Sequence, residues 1–305
     1  MAKHKVKILA IESVTHNVKS LKVEKPKGYS FIPGQATDIA INKPDFVDQK
    51  RSFTFTSLND CDHLEFTIKI YNDHNGVTKE IGKLNVGEEL IIDDPWGAIN
   101  YKGEGTFIAG GAGVTPFIAI LRDLKNKNEL KSNKLIFANK TSKDIILKNE
   151  FETLLGNNFI NILSDEKTDH YKFGFITKEF FQSVLNNLNQ FFYLCGPDPM
   201  IESVEKILGE LNVDKNSIVK ENSMKSATEL NAEIIKITSL IQEKYPELYE
   251  YLGEMPITIP TDQNPIINSQ SLNAYHESLV AMLNNYIYSH SQEKANESQS
   301  QKSLR

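Results

Sequence analysis

Cysteine is scarce. Only Cys61 and Cys195 occur in 305 residues. That excludes a disulfide framework and an iron–sulfur cluster held by four thiolates. Two thiols without a framework suit a reduced, cytoplasmic protein, and that compartment is expected. Long apolar runs are missing: none approaches the roughly 18 residues a membrane helix needs. The opening "MAKHKVKILAIESV" is basic but has neither a long apolar centre nor a small-residue cleavage site, so it reads as a first strand and not a signal peptide. Surplus positive charge is absent too. A net charge of −6 gives no electrostatic footprint for nucleic acid. The seven histidines show no ligand spacing such as HExxH, so no metal site is expected.

Apolar residues make up 40% of the chain and charged residues 24%, as in globular proteins with a proper core. Residues 4 to about 100 read as short strands. In "HLEFTIKIY", Leu64, Phe66, Ile68 and Ile70 share one face while Glu65, Thr67 and Lys69 share the other, the period-two signature of a half-buried strand. "RSFTFTS", "QATDIAI" and "EELIIDD" are similar, with turn signals between them. This spacing suggests an antiparallel barrel or sandwich.

From about residue 104 the period changes. "GTFIAG", "KLIFANK", "FINILSD", "FFYLCG" and "SIVKENS" are compact strands. They alternate with helical stretches such as "TPFIAILRDLK", where Phe117, Ile120, Leu121 and Leu124 make one stripe. Alternation of this kind implies a parallel sheet covered on both faces. After about residue 224 the strands stop. Three amphipathic stripes follow, through Leu230–Ile241, Tyr245–Leu252 and Leu272–Tyr286, with Gly253 placed to end the second helix. The expected organisation is a β-barrel over 1–102, an α/β domain over 103–224, a helical extension over 225–290 and a disordered polar tail over 291–305.

"FIAGGAGVTPFIAIL" joins an apolar strand to a helix through Gly110, Gly111 and Gly113. The glycines remove side chains where the chain turns sharply or a ligand approaches the backbone. Thr115 is a candidate helix cap, and Pro116 suits the first helical position. Free N–H groups and the dipole at a helix start favour an anion. A strand, a bare loop and a helix start thus occur in the order a pyrophosphate needs. A plain tight corner has the same form, and the pattern departs from GxGxxG at its last glycine, where Pro116 stands.

Three other segments change the reading: "RSFTFTS" (Arg51, Ser52, Phe53, Thr54), "GVTKEI" (Gly76, Val77, Thr78) and "YLCGPDPMI" (Cys195, Gly196, Pro197, Met200). With the glycine loop, in this order and spacing, they resemble the ferredoxin–NADP reductase superfamily over roughly residues 1 to 223. Within it, "FANKTSKDIILKNEF" resembles the NADH-cytochrome reductases and the reductase components of bacterial oxygenases. The resemblance implies an FAD-binding barrel followed by an NAD(P)-binding domain. By it, Arg51 pairs with the flavin phosphates, Phe53 packs against the flavin, and Ser52 belongs to the same flavin-binding motif. Thr54 reaches the flavin's reactive edge, and Gly76, Val77 and Thr78 hold the flavin pyrophosphate. Gly111, Gly113, Thr115 and Pro116 cradle the dinucleotide pyrophosphate. Cys195 stands beside the nicotinamide, with Gly196, Pro197 and Met200 in the same motif. Glu221 is a candidate over the flavin in place of the family's aromatic residue. Lys140, ending the second strand, would permit NADPH, whereas the NADH-cytochrome reductase likeness favours NADH.

The expected function is transfer of hydride from NAD(P)H to the flavin and then of single electrons to a separate carrier: a ferredoxin, a flavodoxin or a haem protein. The carrier is separate because the chain lacks cysteines for its own cluster. The alternative is a redox-responsive flavoprotein whose helical extension docks a partner. A nucleotide-binding domain without flavin is a third reading.

Overall fold

The computed structural model describes residues 3–73, 76–97, 99–220 and 227–252, with positions 272, 275, 276, 279, 280, 282, 283 and 286. Glu221, Gly253 and the expected disordered tail lie outside the described residues. The chain divides into two compact units, residues 1–221 and 222–305.

The first half of the larger unit runs β1 (His4–Thr15), β2 (Val18–Glu24), β3 (Ala36–Ile41), β4 (Arg51–Thr54), β5 (His63–Lys69), α1 (Val77–Ile81) and β6 (Glu89–Ile92). The strands form one antiparallel sheet in the order β4-β3-β6-β1-β2-β5. A bridge between Phe55 and Phe66 joins its two edges, helped by the Thr56 N–H donating to the Glu65 carbonyl at 2.8 Å. The sheet therefore closes as the expected barrel, which removes its edges. Val6, Leu21, Ile39, Phe55, Leu64 and Phe66 fill it, each stabilising the fold by roughly 1.5–3 kcal/mol through burial.

The second half runs β7 (Gly105–Gly110), α2 (Thr115–Asn126), β8 (Lys134–Asn139), α3 (Lys148–Leu155), β9 (Phe159–Leu163), β10 (Lys172–Phe173), α4 (Lys178–Val184), β11 (Phe191–Cys195), α5 (Asp198–Glu210) and β12 (Ile218–Lys220). The sheet is parallel throughout, in the order β10-β9-β8-β7-β11-β12. From β7 the chain builds outward through β8 and β9, then returns to add β11 on the other side of β7. The carboxyl ends of β7 and β11 thus form a topological switch point, where open α/β sheets place ligands.

Phe107, Phe117, Leu121, Leu135, Phe137 and Phe151 pack on one face of this sheet. Ile108, Ile136, Phe181, Phe192, Leu194 and Val204 pack on the other. The first of these cores also takes in Val18 and Ile99 from the barrel side, so the two halves share buried apolar surface. The connector is held as well. The Tyr193 hydroxyl accepts from the Lys102 and Gly103 N–H groups at 2.9 and 3.0 Å and donates to the Gly103 carbonyl at 2.6 Å.

In the smaller unit, α6 (Ala227–Lys244) and α7 (Pro246–Leu252) carry the first two expected stripes, and the described positions of the third are helical. Ile241, Leu248 and Leu283 are buried together, with Ile237, Tyr245, Met282 and Tyr286 around them. The stripes bury one another.

Candidate functional site

A cleft of about 960 Å³ opens at the β7–β11 switch point, and both halves of the larger unit line it. From the barrel come Ser52, Phe53, Thr54, Thr67, Lys69 and Thr78. Ser52, Phe53 and Thr54 belong to β4, whose pleat sends Phe53 partly into the barrel core and leaves Ser52 exposed. The Ser52 hydroxyl donates to Asp38 Oδ1 at 2.7 Å.

The α/β half contributes backbone more than side chain. Gly111 has φ +53, a conformation that side chains resist. A methyl group on Gly113 would lie 2.3 Å from the Cys195 carbonyl oxygen. One on Gly110 would lie 2.6 Å from the Met200 sulfur, and one on Gly196 would lie 2.8 Å from the Met200 methyl. Three glycines therefore let the ends of β7 and β11 close on each other with the α2 start between them. Cys195 pairs in register with Ala109 and is 8% exposed at the cleft wall.

Thr115 does not cap α2. Val114 occupies the cap position without a side-chain hydrogen bond, and Thr115 is the first helical residue. Gly111–Val114 already wind as a 3-10 turn, and the Thr115 N–H donates to the Ala112 carbonyl. Helical dihedrals thus arrive one residue early, and Pro116 follows second in the helix. The helix start still leaves backbone N–H groups at the cleft.

One cation reaches this loop from the barrel. Lys69 Nζ stands 3.9 Å from where a Gly111 methyl would be, and 5.7 Å from the centre of the Tyr71 ring. Lys69, Thr67 and Glu65 alternate along one face of β5. The first two line the cleft, while Glu65 meets Arg122 of α2 at 2.8 Å. Arg122 also donates to the Thr56 carbonyl at 2.6 Å and grips Glu150 of α3 through Nε and Nη2 at 2.6 and 2.9 Å. Burial alone would raise the Glu65 carboxyl, but the Arg122 charge and hydrogen bonds from Arg122 and Thr56 hold it below the usual range. Burial likewise disfavours the Arg122 charge, and its two carboxylates more than restore it.

The family model for the Oxidoreductase FAD-binding domain matches residues 5–101, and that for the Oxidoreductase NAD-binding domain matches residues 107–206. The chain belongs to the ferredoxin–NADP reductase superfamily. Its similarity to the propane 2-monooxygenase reductase component of Mycolicibacterium goodii is 26% identity over 234 residues, 71% of this chain and 65% of that protein. NADH-cytochrome b5 reductase 1 of Candida albicans is 33% identical over 187 residues, 54% of this chain and 60% of that protein. The chain thus spans less than two thirds of these relatives' length. Among solved structures, the CS-b5R domains of human Ncb5or in the NAD+ form align with a TM-score of 0.62 at 26% identity. The alignment covers 72% of this chain and 70% of that one. A Neisseria gonorrhoeae ferredoxin NADP+ reductase with bound FAD and NADP shares the fold, with a TM-score of 0.63 at 17% identity over 72% of this chain and 98% of that one.

Most residues expected at the superfamily site line this one cleft: Ser52, Phe53, Thr54 and Thr78 from the barrel, and Gly111, Gly113 and Thr115 from the loop. Cys195, Gly196, Pro197 and Met200 from the end of β11 join them. Arg51, Gly76, Val77 and Pro116 do not. Arg51 is exposed on β4, with Nη1 donating to the Lys50 carbonyl at 2.8 Å. Gly76 precedes α1, and Val77 is 1% exposed in the barrel core. Pro116 is buried in the first turn of α2.

The sequence reading missed Tyr71 and Asn139 and did not give Lys69 a role. The alternation of "TIKIY" placed Lys69 on the polar face of a strand and carried no sign of what that face meets. Asn139 ends β8 at the cleft wall, 8% exposed, with neither side-chain polar atom hydrogen-bonded among the described residues.

Proposed function

We propose that this chain is a flavin-dependent oxidoreductase that takes hydride from NAD(P)H and passes electrons singly to a separate carrier protein. One observation carries the reading: a single cleft joins the FAD-binding barrel to the bare loop of the NAD-binding half at the switch point of the parallel sheet.

The residues fit both groups. Gly110, Gly113 and Gly196 keep methyl groups out of a cradle that has no room for them. The start of α2 and the Lys69 ammonium offer a dinucleotide pyrophosphate backbone N–H groups and one positive charge. Arg51 is an exposed planar fork on the flavin strand and would pair with flavin phosphate. Gly76, Val77 and Thr78 would meet the flavin pyrophosphate through backbone N–H groups and the Thr78 hydroxyl. Phe53 offers an aromatic face and Thr54 a hydroxyl at the barrel wall, while Cys195 and Gly196 form the opposing wall. When bound, the flavin supplies the ability to accept two electrons as hydride and release them one at a time. Thr54 and Cys195 then orient the reacting edges and exclude water, and no general base is needed.

Lys140 and Asp144 put opposite charges on the cleft wall beyond β8. Lys140 would permit a ribose 2′-phosphate, while the likeness to NADH-cytochrome b5 reductases favours NADH, so the reductant is NAD(P)H. The carrier is a haem protein, a ferredoxin or a flavodoxin. Support comes from relatives named for cytochrome b5 and for an oxygenase component. Cys61 and Cys195 are thiols not joined in a disulfide, which suits a reducing cytoplasm.

The test is direct. The purified protein should be yellow, and anaerobic stopped-flow mixing with NADH or NADPH should bleach it. A colourless protein that takes up neither FAD nor FMN refutes the proposal.

A further inference from the structure

The parts of the molecule that hold the two cofactor sites meet a second time, away from the cleft. Strand β5 carries Thr67 and Lys69 at the cleft. Two residues before Thr67, on the same face, it carries Glu65. Helix α2 begins in the glycine loop at Thr115 and presents Arg122 seven residues later, two turns along the same side. Strand and helix thus approach each other at two places. At the cleft end, the Lys69 ammonium stands 3.9 Å from where a Gly111 methyl would be. At the far end, Arg122 bonds Glu65 Oε1 at 2.8 Å and the Thr56 carbonyl at 2.6 Å.

Thr56 lies two residues beyond Thr54 on the same chain segment, and its hydroxyl donates to Glu65 Oε1 at 2.9 Å. The far side of the guanidinium is held by both oxygens of Glu150 in the first turn of α3. The side chains of Arg122 and Glu65 are only 24% and 13% exposed, so water screens this contact weakly. A lysine could not make four bonds in one plane.

We infer that Arg122 is a positioning residue: through Glu65 and Thr56 it fixes the glycine loop against the flavin strand, and so sets the distance over which hydride passes. The inference rests on the proposed function. Arg122 touches neither cofactor site. It acts through α2, whose start cradles the dinucleotide, and through the segment that carries Thr54. Hydride transfer falls steeply when the reacting atoms part by about 1 Å, on the order of a hundredfold. A tie that removes play between strand and helix therefore acts on rate and leaves each site's affinity alone.

Glu65 and Glu150 allow a discriminating test, because both bind the same guanidinium but only Glu65 belongs to the barrel. Glu65→Met removes the charged half of the tie between halves and leaves only the Thr56 carbonyl on Arg122, whereas Glu150→Met cuts a contact inside the α/β half. Arg122→Lys is the milder variant, should either fail to fold.

In the flavin-loaded protein, Glu65→Met and Arg122→Lys should slow flavin bleaching by NADH about tenfold or more. Flavin content and NADH dissociation constant should stay within about twofold. Glu150→Met should bleach at nearly the wild-type rate even if it melts earlier. In the flavin-free protein, calorimetry should show the two halves of the larger unit melting together in wild type and Glu150→Met, and drawing apart in Glu65→Met. Bleaching in Glu65→Met and Arg122→Lys at the wild-type rate overturns the inference and leaves the reductase reading intact. Equal slowing in Glu65→Met and Glu150→Met, tracking stability alone, overturns it also. A wild-type protein that never binds flavin removes the reading beneath it.

Discussion

Gly113 offers the most demanding test of the cleft's geometry. An alanine there would place its methyl 2.3 Å from the Cys195 carbonyl oxygen, 2.5 Å from that carbonyl carbon and 2.6 Å from the Gly196 nitrogen. The first distance is 0.7 Å inside the 3.0 Å that real Cβ contacts respect. All three neighbours are backbone, so no flexible side chain can swing away. Relief requires moving the end of β11, which is hydrogen-bonded to β7 and β12, or the start of α2, whose first turn is buried. Overpacking costs about 1–3 kcal/mol, and a backbone clash belongs at the upper end. In a compact unit of this size about 3 kcal/mol lowers the melting temperature by roughly 6–12 °C. The same displacement widens the cradle, so NADH affinity should fall at least about tenfold. Gly209→Ala supplies the control. Gly209 lies in α5 with nothing within 4 Å of the added methyl, so alanine should stabilise by about 0.5–1 kcal/mol. Thermal melts and NADH titrations of the two variants decide the matter. A Gly113→Ala protein that melts within about 1 °C of wild type and binds NADH equally well would refute the close packing of β7, β11 and α2 described above.

Three further outcomes are expected. The Glu65 carboxyl is held below its ordinary value of 4.5. Its stabilising effect is therefore complete above pH 4.5 and is lost as pH falls through the lowered value, so melts in that acid window should show wild type converging on Glu65→Met. Burial pushes the Tyr193 hydroxyl up to about 12, so its contribution is complete below its ordinary 10 and is lost as pH rises toward 12. Tyr193→Phe should cost about 1–3 kcal/mol by stranding the Lys102 and Gly103 N–H groups, and should flatten the alkaline loss in the same melts; an unchanged curve contradicts the assignment. Asn139→Val removes two buried polar atoms that lack partners among the described residues and should raise stability by about 1 kcal/mol, which denaturant unfolding will register; a loss of that size would show that the amide is satisfied.

Local chemistry made much of this molecule legible. Alternation in "HLEFTIKIY" and the change of period after residue 104 reflect which faces are buried, and the two sheets follow from them. The glycine loop was readable only beside the three other motifs, because a plain tight corner has the same local form. The remainder depends on contacts distant in sequence. Glu65, Thr67 and Lys69 look like an ordinary polar strand face, yet that face lies against α2 and the cleft. Arg122 looks like a solvated helix residue until Thr56, Glu65 and Glu150 come together around it. Strand β2 hid because Val18 faces the core of the second half while Leu21 and Val23 face the barrel core, so its apolar residues do not share one alternating face. The Thr115 cap failed for a local reason: the 3-10 turn absorbed the helix start.

The connector has a practical consequence for anyone recombining relatives of this protein. Ile99 lies in the second half's core, Tyr101 stacks on Phe107 and Tyr193, and the Tyr193 hydroxyl grips the two residues that follow Tyr101. The stretch that ends the first matched domain and leads into the second is upholstery of the dinucleotide half, not slack cable. A chimera that trades barrels should be spliced ahead of Ile99, so that the donor of the parallel sheet brings its own aromatic plug.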